Sequence, residues 1–108
     1  MALVVSSWDL PSSAEQLKAY GEQAQSNWIP TVLKQPGVKE FRGYRNPTHT
    51  TPQVVSHTEF DSMNSLMQYL ASDDFSRLMG ELRATGVTNI SAEIWDASPI
   101  LPEPLRPG

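Results

Sequence analysis

Residues 59–82 read EFDSMNSLMQYLASDDFSRLMGEL, a strand end that turns directly into an amphipathic helix in two parts. Apolar residues recur at helical spacing in both parts: Met63, Leu66, Met67 and Leu70, then Phe75, Leu78, Met79 and Leu82. Between the parts, Ser72 can cap a new helix, and Asp73 and Asp74 place negative charge near its first-turn amides. The stretch predicts a helix that breaks and restarts, with its apolar face packed on a core or lining a pocket.

Four strands and one further helix are predicted around this stretch. The strands are β-favouring runs at 2–8, 38–45, 53–60 and 87–96. Ser12 and Glu15 have capping-box spacing and begin a helix over 13–34. Pro30 lies inside it and predicts a kink or a restart near Trp28-Ile29, because proline lacks a backbone donor and clashes with the preceding turn. Asp61 is the expected cap of the second helix.

The order strand, helix, strand, strand, helix, strand is typical of the α+β ferredoxin-like fold, βαββαβ. In that fold a four-stranded antiparallel sheet carries both helices on one face. We expect a single domain over 1–98. Four of the last eleven residues are proline, which predicts an extended, polyproline-like tail over 99–108.

Composition excludes several classes of protein. The chain has 108 residues, no cysteine and a net charge of −4, so disulfide scaffolds and thiolate chemistry are absent. Its pI near 5.0 argues against a nucleic-acid partner. The apolar runs are too short to span a membrane, and residues 1–5 lack the basic start of a signal peptide. We therefore expect a cytoplasmic protein.

Alternation along the outer strands predicts a dimer. Leu3, Val5 and Ser7 alternate with Val4 and Trp8 on the first strand. If the helices cover the aliphatic set on each strand, Val4, Trp8 and Trp95 are left on the bare face of the sheet. A second copy is the simplest cover, so we expect a homodimer whose sheets meet face to face through these three residues.

Several short motifs together resemble a known group of proteins. They are Pro36-Gly37-Val38 at the second strand, Tyr44-Arg45 near its end, Phe60-Asp61-Ser62, Leu66, Tyr69-Leu70 and 72–75. The chain is similar over almost its whole length to the small dimeric α/β-barrel proteins related to antibiotic-biosynthesis monooxygenases, haem-degrading monooxygenases and stress-responsive barrel proteins. Most of the matching positions are structural, so the resemblance implies the fold more firmly than the reaction.

The haem-degrading branch is not matched at its characteristic positions. Its axial histidine would fall at Met79, its pocket tryptophan at Phe60, and its first-strand asparagine at Ser6 or Ser7. The resemblance therefore points away from haem degradation. It implies a cofactor-independent monooxygenase acting on a small aromatic or polyketide-like compound, with no metal and no tightly bound cofactor.

Such an enzyme needs an aromatic pocket with a few polar groups. The candidate substrate-binding residues, expected between sheet and helices, are Ser7, Trp28, Phe41, Ser56, Thr58, Phe60 and Met79. The same residues can instead form a filled core.

Three residues are candidates for catalysis. His57 has the side-chain type most often used for proton transfer, and Arg42 with Tyr44 could orient an anionic substrate. Each has a plainer interpretation, His57 as a surface or interface histidine and the other two as an exposed edge pair. The alternative function is a non-catalytic, stress-responsive dimeric barrel that binds a hydrophobic small molecule. A pocket of a few hundred cubic ångströms lined by His57 or Arg42 would favour the enzyme, and a filled core would exclude it.

Overall fold

The computed structural model describes residues 1–108 and contains one four-stranded antiparallel sheet. Its strands are β1 (Ala2–Asp9), β2 (Val38–Arg45), β3 (Val54–Phe60) and β4 (Thr88–Asp96). They are arranged in the order β2-β3-β1-β4, with the helices packed on one face. This is the predicted ferredoxin-like fold, and every strand boundary lies within one residue of the prediction.

The first helical stretch is continuous and contains a π-helical turn. Helix α1 (Ala14–Gln23) passes through the π turn Ala24–Trp28 into α2 (Ile29–Leu33). The turn is widened so that the N–H of Ile29 donates to the carbonyl of Ala24, five residues back. A π turn is a known way to accommodate a disturbance in the hydrogen-bond ladder, here the missing donor of Pro30. At the position where a kink or a restart was predicted, the structure has this π turn within a continuous helical stretch.

The second helical stretch breaks and restarts as predicted. Helix α3 (Met63–Leu70) is followed by α4 (Asp73–Ala84), and the hydroxyl of Ser72 accepts from the N–H of Phe75 at 3.1 Å. The first caps of both stretches lie one residue later than predicted. Ser13, not Ser12, caps α1, and Ser62, not Asp61, caps α3. In each case the neighbouring hydroxyl reaches the free amide of the first turn.

The prediction for the orientation of β1 was wrong. Val4 is 3% exposed in the core, and Trp8 points toward α1, where its indole N–H donates to the hydroxyl of Tyr20 at 2.9 Å. Ser7 lies on the opposite, bare face, since it alternates with Ser6 and Trp8. Both faces of this strand carry apolar residues, so alternation alone could not decide which face the helices cover. Trp95 is on the bare face, as expected, opposite Leu3.

A polar cluster closes one end of the sheet. The carboxylate of Asp9 accepts hydrogen bonds from the Asn89 amide at 2.7 Å, the Thr51 hydroxyl at 2.8 Å and the Gln53 backbone N–H at 3.1 Å. These donors, Asn89 first, lower the pKa of Asp9. The cluster ties β1 to β4 and to the loop that precedes β3.

No helix or strand follows Asp96, and residues 99–108 are exposed. The division between a domain and a tail at residue 98 stays a prediction. None of the helices is long and apolar enough to cross a lipid bilayer.

Candidate active site

A partly open cavity of about 190 Å³ lies between the sheet and the helices. Its floor contains a row of small residues, in which Gly43 of β2, Ser56 of β3 and Ser6 of β1 are register partners. Large side chains stand beyond this row, with Phe41 on one side and Trp8 on the other. Because three adjacent strands present little side-chain volume at the same level, the helices above cannot fill the space completely.

The walls and roof of the cavity come from both helical stretches. From α1, the π turn and α2 they include Tyr20, Ala24, Trp28, Ile29 and Val32, and from α3 and α4 they include Tyr69, Phe75, Leu78, Met79 and Leu82. The cavity has 18 lining residues, 14 of them hydrophobic, so it favours a largely apolar ligand.

A few polar groups interrupt this apolar lining. Ser6, Ser56 and Thr58 place three largely buried hydroxyl side chains along the floor. The Tyr20 hydroxyl accepts from Trp8, which leaves its own proton free for donation. The Nε1 atom of Trp28 also lacks a hydrogen-bond partner within the protein, but it is buried away from the cavity as well as from solvent.

These donors stay neutral at physiological pH. Burial raises the pKa of Tyr20, although the hydrogen bond from Trp8 and the charge of Arg45 oppose that effect. Burial, with a contribution from the negative charge of Asp74, raises the pKa of Tyr69 to about 12. No histidine, carboxylate, lysine or arginine lines the cavity. The cavity can therefore donate hydrogen bonds to an oxygen atom, but it contains no ordinary general base.

The roof is also held together on its outer surface. Glu81 of α4 accepts from Arg77 at 2.6 Å and from Asn27 of the π turn at 3.0 Å. Inside, the ring of Trp28 packs edge-on against that of Tyr20, with centroids 5.6 Å apart. The outer bonds are partly exposed and contribute little free energy, yet together with the ring contact they fix the π turn above the floor.

The predicted catalytic residues lie on the other side of the sheet. Arg42 and His57 are register partners, and the rings of Tyr44 and His57 lie 5.0 Å apart. Arg42 forms an ion pair with Glu40, which raises the pKa of the arginine. These residues border a shallow depression of about 250 Å³ on the bare face. The structure thus brings the three together but separates them from the cavity by the thickness of the sheet.

The predicted substrate-binding residues divide into two groups. Trp28, Phe41, Ser56, Thr58 and Met79 line the cavity. Ser7 does not, because it faces the bare side. Phe60 is completely buried and packs against Tyr69, with ring centroids 5.6 Å apart, but it does not line the cavity.

The predicted substrate-binding set omitted thirteen of the 18 lining residues, among them Ser6, Trp8, Tyr20 and Gly43. For Ser6 and Trp8 the error was the orientation of β1. Gly43 carried a usable signal, since a glycine inside a strand often marks a close approach or a gap. The cavity is smaller than the predicted few hundred cubic ångströms and lacks both His57 and Arg42, but it is not filled.

Comparison with known proteins shows similarity at the level of the fold. No protein-family model matches the sequence, and no curated protein matches it. Solved structures do match. A candidate antibiotic biosynthesis monooxygenase from Deinococcus radiodurans superposes with a TM-score of 0.75 at 14% identity, covering 100% of this chain and 99% of that one.

Two further solved structures are also similar to this chain in fold. A variant of SnoaB, a cofactor-independent oxygenase from Streptomyces nogalater, gives a TM-score of 0.67 at 19% identity, with coverage of 94% and 97%. A dimeric protein of unknown function and ferredoxin-like fold from Bacteroides fragilis gives 0.66 at 11% identity, with coverage of 87% and 93%. The structural neighbours are thus antibiotic biosynthesis monooxygenase-like proteins with a ferredoxin-like fold, and this chain shares that fold.

Proposed function

We propose that this protein is a cofactor-independent monooxygenase that oxidises a small, electron-rich aromatic compound in the cavity between sheet and helices. The observation that carries the proposal is an apolar cavity between sheet and helices whose polar side-chain groups are neutral hydroxyls. Such donors stabilise a developing oxyanion most strongly where water is excluded. The oxygenase SnoaB, which shares the fold, supports the choice of reaction.

The reaction proposed for a phenol is conversion to a quinone. The phenolate gives electron density to molecular oxygen, and a C–O bond forms at the ring carbon para to the phenolate oxygen. The resulting peroxide anion takes up from solution the proton that the phenol lost on ionising. Its O–O bond then breaks as that carbon loses its hydrogen, and the departing hydroxide and the ring proton form water. One oxygen atom enters the ring as a carbonyl, so phenol and oxygen give quinone and water, and the substrate supplies all four electrons.

The role of the protein is to hold the anion and exclude water. The hydroxyl of Tyr20 is polarised by the Trp8 N–H that it accepts, and it donates to the phenolate oxygen. Because no ionised base lines the cavity, the ligand arrives from solution as its anion. The rate is therefore expected to rise with pH through the pKa of the ligand rather than that of a protein group.

Oxygen consumption tests this proposal. The purified protein is incubated with a panel of phenols and dihydroxyarenes under ¹⁸O₂, with Phe41→Ala as a variant that disrupts the cavity wall. We expect protein-dependent uptake for at least one member and one ¹⁸O atom in the quinone product. If no compound in the panel gives protein-dependent oxygen uptake, the proposed monooxygenase activity is contradicted.

The second candidate is a non-catalytic barrel that binds a hydrophobic small molecule. The absence of any histidine, carboxylate or basic side chain from the cavity lining favours it. Binding of panel compounds without oxygen uptake would support this function and exclude the first.

We also propose that the protein is a homodimer formed through the bare face of the sheet. Trp95 is 51% exposed there and Tyr44 is 48% exposed, which leaves aromatic surface for a second copy to cover. Val4 and Trp8, both on the helix side, take no part in this interface. Sedimentation at micromolar concentration should give a dimer, and Trp95→Asp should give a monomer. A wild-type monomer would contradict the proposal.

A further inference from the structure

The two edge strands of the sheet carry opposite net charge. Strand β2 has three basic residues and one acidic residue, whereas β4 has two acidic residues and none that is basic. On the bare face, Arg42 of β2 lies at one edge and Glu93 of β4 at the other. A face with a cation at one edge and an anion at the other is complementary to a second copy of itself in only some orientations.

Arg42 and Glu93 lie at the same level along the strands. Each residue in their row is the register partner of the next, in the order Arg42, His57, Val5 and Glu93. Three strand spacings of about 4.8 Å separate the two ends of the row, so the backbone positions of Arg42 and Glu93 are about 14 Å apart. Glu93 takes part in none of the four ion pairs within the chain. Its carboxylate is therefore free to bind a cation from another molecule.

Arg42 can bind more than the carboxylate it already contacts. Its Nε donates to Glu40 on the same face, but a guanidinium has five N–H donors, so most of them remain available. The next residue of β4 on the bare face after Glu93 is Trp95, which is half exposed. Arginine stacks on aromatic rings as well as pairing with carboxylates. Glu93 and Trp95 together thus offer both kinds of group that an arginine binds at protein interfaces.

Symmetry gives two aligned ways to place a second copy on the bare face. When two sheets face each other in a two-fold dimer, the axis lies between them and runs either along the strands or across them. An axis across the strands sets each strand against its own copy, so β4, which has only acidic charges, meets a second β4. An axis along the strands sets β2 against β4 of the partner and keeps every residue at its own level. Arg42 then lies opposite Glu93 of the partner subunit, with Trp95 of the partner subunit one row away.

We propose that the homodimer forms about a two-fold axis that runs along the strands, with Arg42 of each subunit paired to Glu93 of the partner subunit. This inference rests on the homodimer proposed above and extends it, because it determines which edge of one subunit meets which edge of the other. Both ion pairs lie over edge strands, at the rim of the interface. The same charges favour this orientation and oppose the one in which each strand meets its own copy.

Charge exchange tests the pairing. Arg42→Glu should weaken the dimer at least about tenfold, because two carboxylates then face each other, and Glu93→Arg should do the same with two guanidinium groups. The double variant restores opposite charges across the interface, so its dissociation constant should return to within about threefold of wild type. Sedimentation equilibrium measures each constant. Glu22→Arg reverses an exposed charge in α1, and it should change the constant less than about twofold.

Cross-linking locates the axis with both charges in place. The chain has no cysteine, so an introduced thiol is unique. Tyr44 and Ser91 lie at opposite ends of the next row on the bare face, so an axis along the strands places Tyr44 opposite Ser91 of the partner subunit. A short bis-maleimide should cross-link a mixture of the Tyr44→Cys and Ser91→Cys proteins, and neither protein alone. Equally efficient cross-linking of Tyr44→Cys to itself would overturn the inference.

The results also distinguish this inference from the proposed homodimer. A wild-type monomer would contradict both. A wild-type dimer whose double variant dissociates as readily as the single variants would overturn the pairing and leave the homodimer standing. Circular dichroism checks that each single variant is folded, so that loss of the dimer is not mistaken for unfolding. None of these measurements depends on whether the protein consumes oxygen.

Discussion

The two faces of the sheet differ in the kind of side chain they present. The face under the helices holds an apolar cavity with neutral donors, and no ionisable group except tyrosine lines it. The bare face holds the titratable residues Glu40, Arg42, His57 and Glu59 around a shallow depression. Residues whose types suit catalysis therefore lie apart from the apolar cavity that could hold a small molecule.

The residues with the side-chain types most used in catalysis are therefore not the residues that lie at the cavity. His57 has the residue type most often used for proton transfer, but a ligand in the cavity cannot reach it through the sheet. Tyr20 and Ser56 are weaker candidates by type, yet they line the space itself. If oxidation takes place here, the protein acts through exclusion of water and hydrogen-bond donation.

The largest expected effect concerns stability on the two faces. Phe60 is fully buried on the helix side, so Phe60→Ala should lower the free energy of unfolding by about 3–5 kcal/mol. Its neighbour Glu59 faces the other way, and Glu59→Ala should change the same quantity by less than about 0.5 kcal/mol. Urea denaturation measures both. Similar losses in the two variants would show that the bare face is as tightly packed as the core.

The next effect concerns binding in the cavity. No heavy atom lies within 4 Å of a Cβ built at Gly43, so the side chain of Gly43→Leu has room and would occupy the cavity. We expect the dissociation constant for 4-ethylphenol to rise at least about tenfold, since the methylene groups of leucine replace the ligand. Gly80→Ala, in α4 and outside the lining, should leave it unchanged. Unchanged binding in Gly43→Leu would place the ligand elsewhere.

The smallest effect concerns acid stability at the end of the sheet. The donors around Asp9, with Asn89 the largest contributor, lower its pKa in the folded protein, so its charged form stabilises the fold. That contribution is complete above the unfolded pKa of about 3.9 and is lost as pH falls through the lower folded value. Asp9→Asn should therefore make stability less dependent on pH below about 4. An identical acid profile in both proteins would show that the carboxylate contributes nothing.

Signals between residues close together in the sequence predicted the helices and strands well. The restart at Ser72 followed from a cap and two acidic residues, and the disturbance near Trp28 followed from Pro30. Both depend on residues a few positions apart, which a sequence shows directly. The caps at Ser13 and Ser62 were each missed by one residue, because adjacent polar side chains compete for the same amides.

The site was less predictable because it depends on register. The orientation of β1 rests on whether Val4 and Trp8 or Leu3 and Val5 pack under the helices, and both sets are apolar. The row formed by Gly43, Ser56 and Ser6 joins three strands that are distant in sequence, so it becomes visible only when the strands are paired. The unpaired indole of Trp28 is a property of the packed structure alone.

The central claim is that the cavity, rather than the bare face, is the functional site. Oxygen uptake with the best panel substrate, compared between Gly43→Leu and His57→Ala, tests it most directly. We expect Gly43→Leu to lose at least about tenfold in rate, because its side chain takes the place of the substrate, and His57→Ala to stay within about twofold of wild type. Retained activity in Gly43→Leu together with a large loss in His57→Ala would contradict the account.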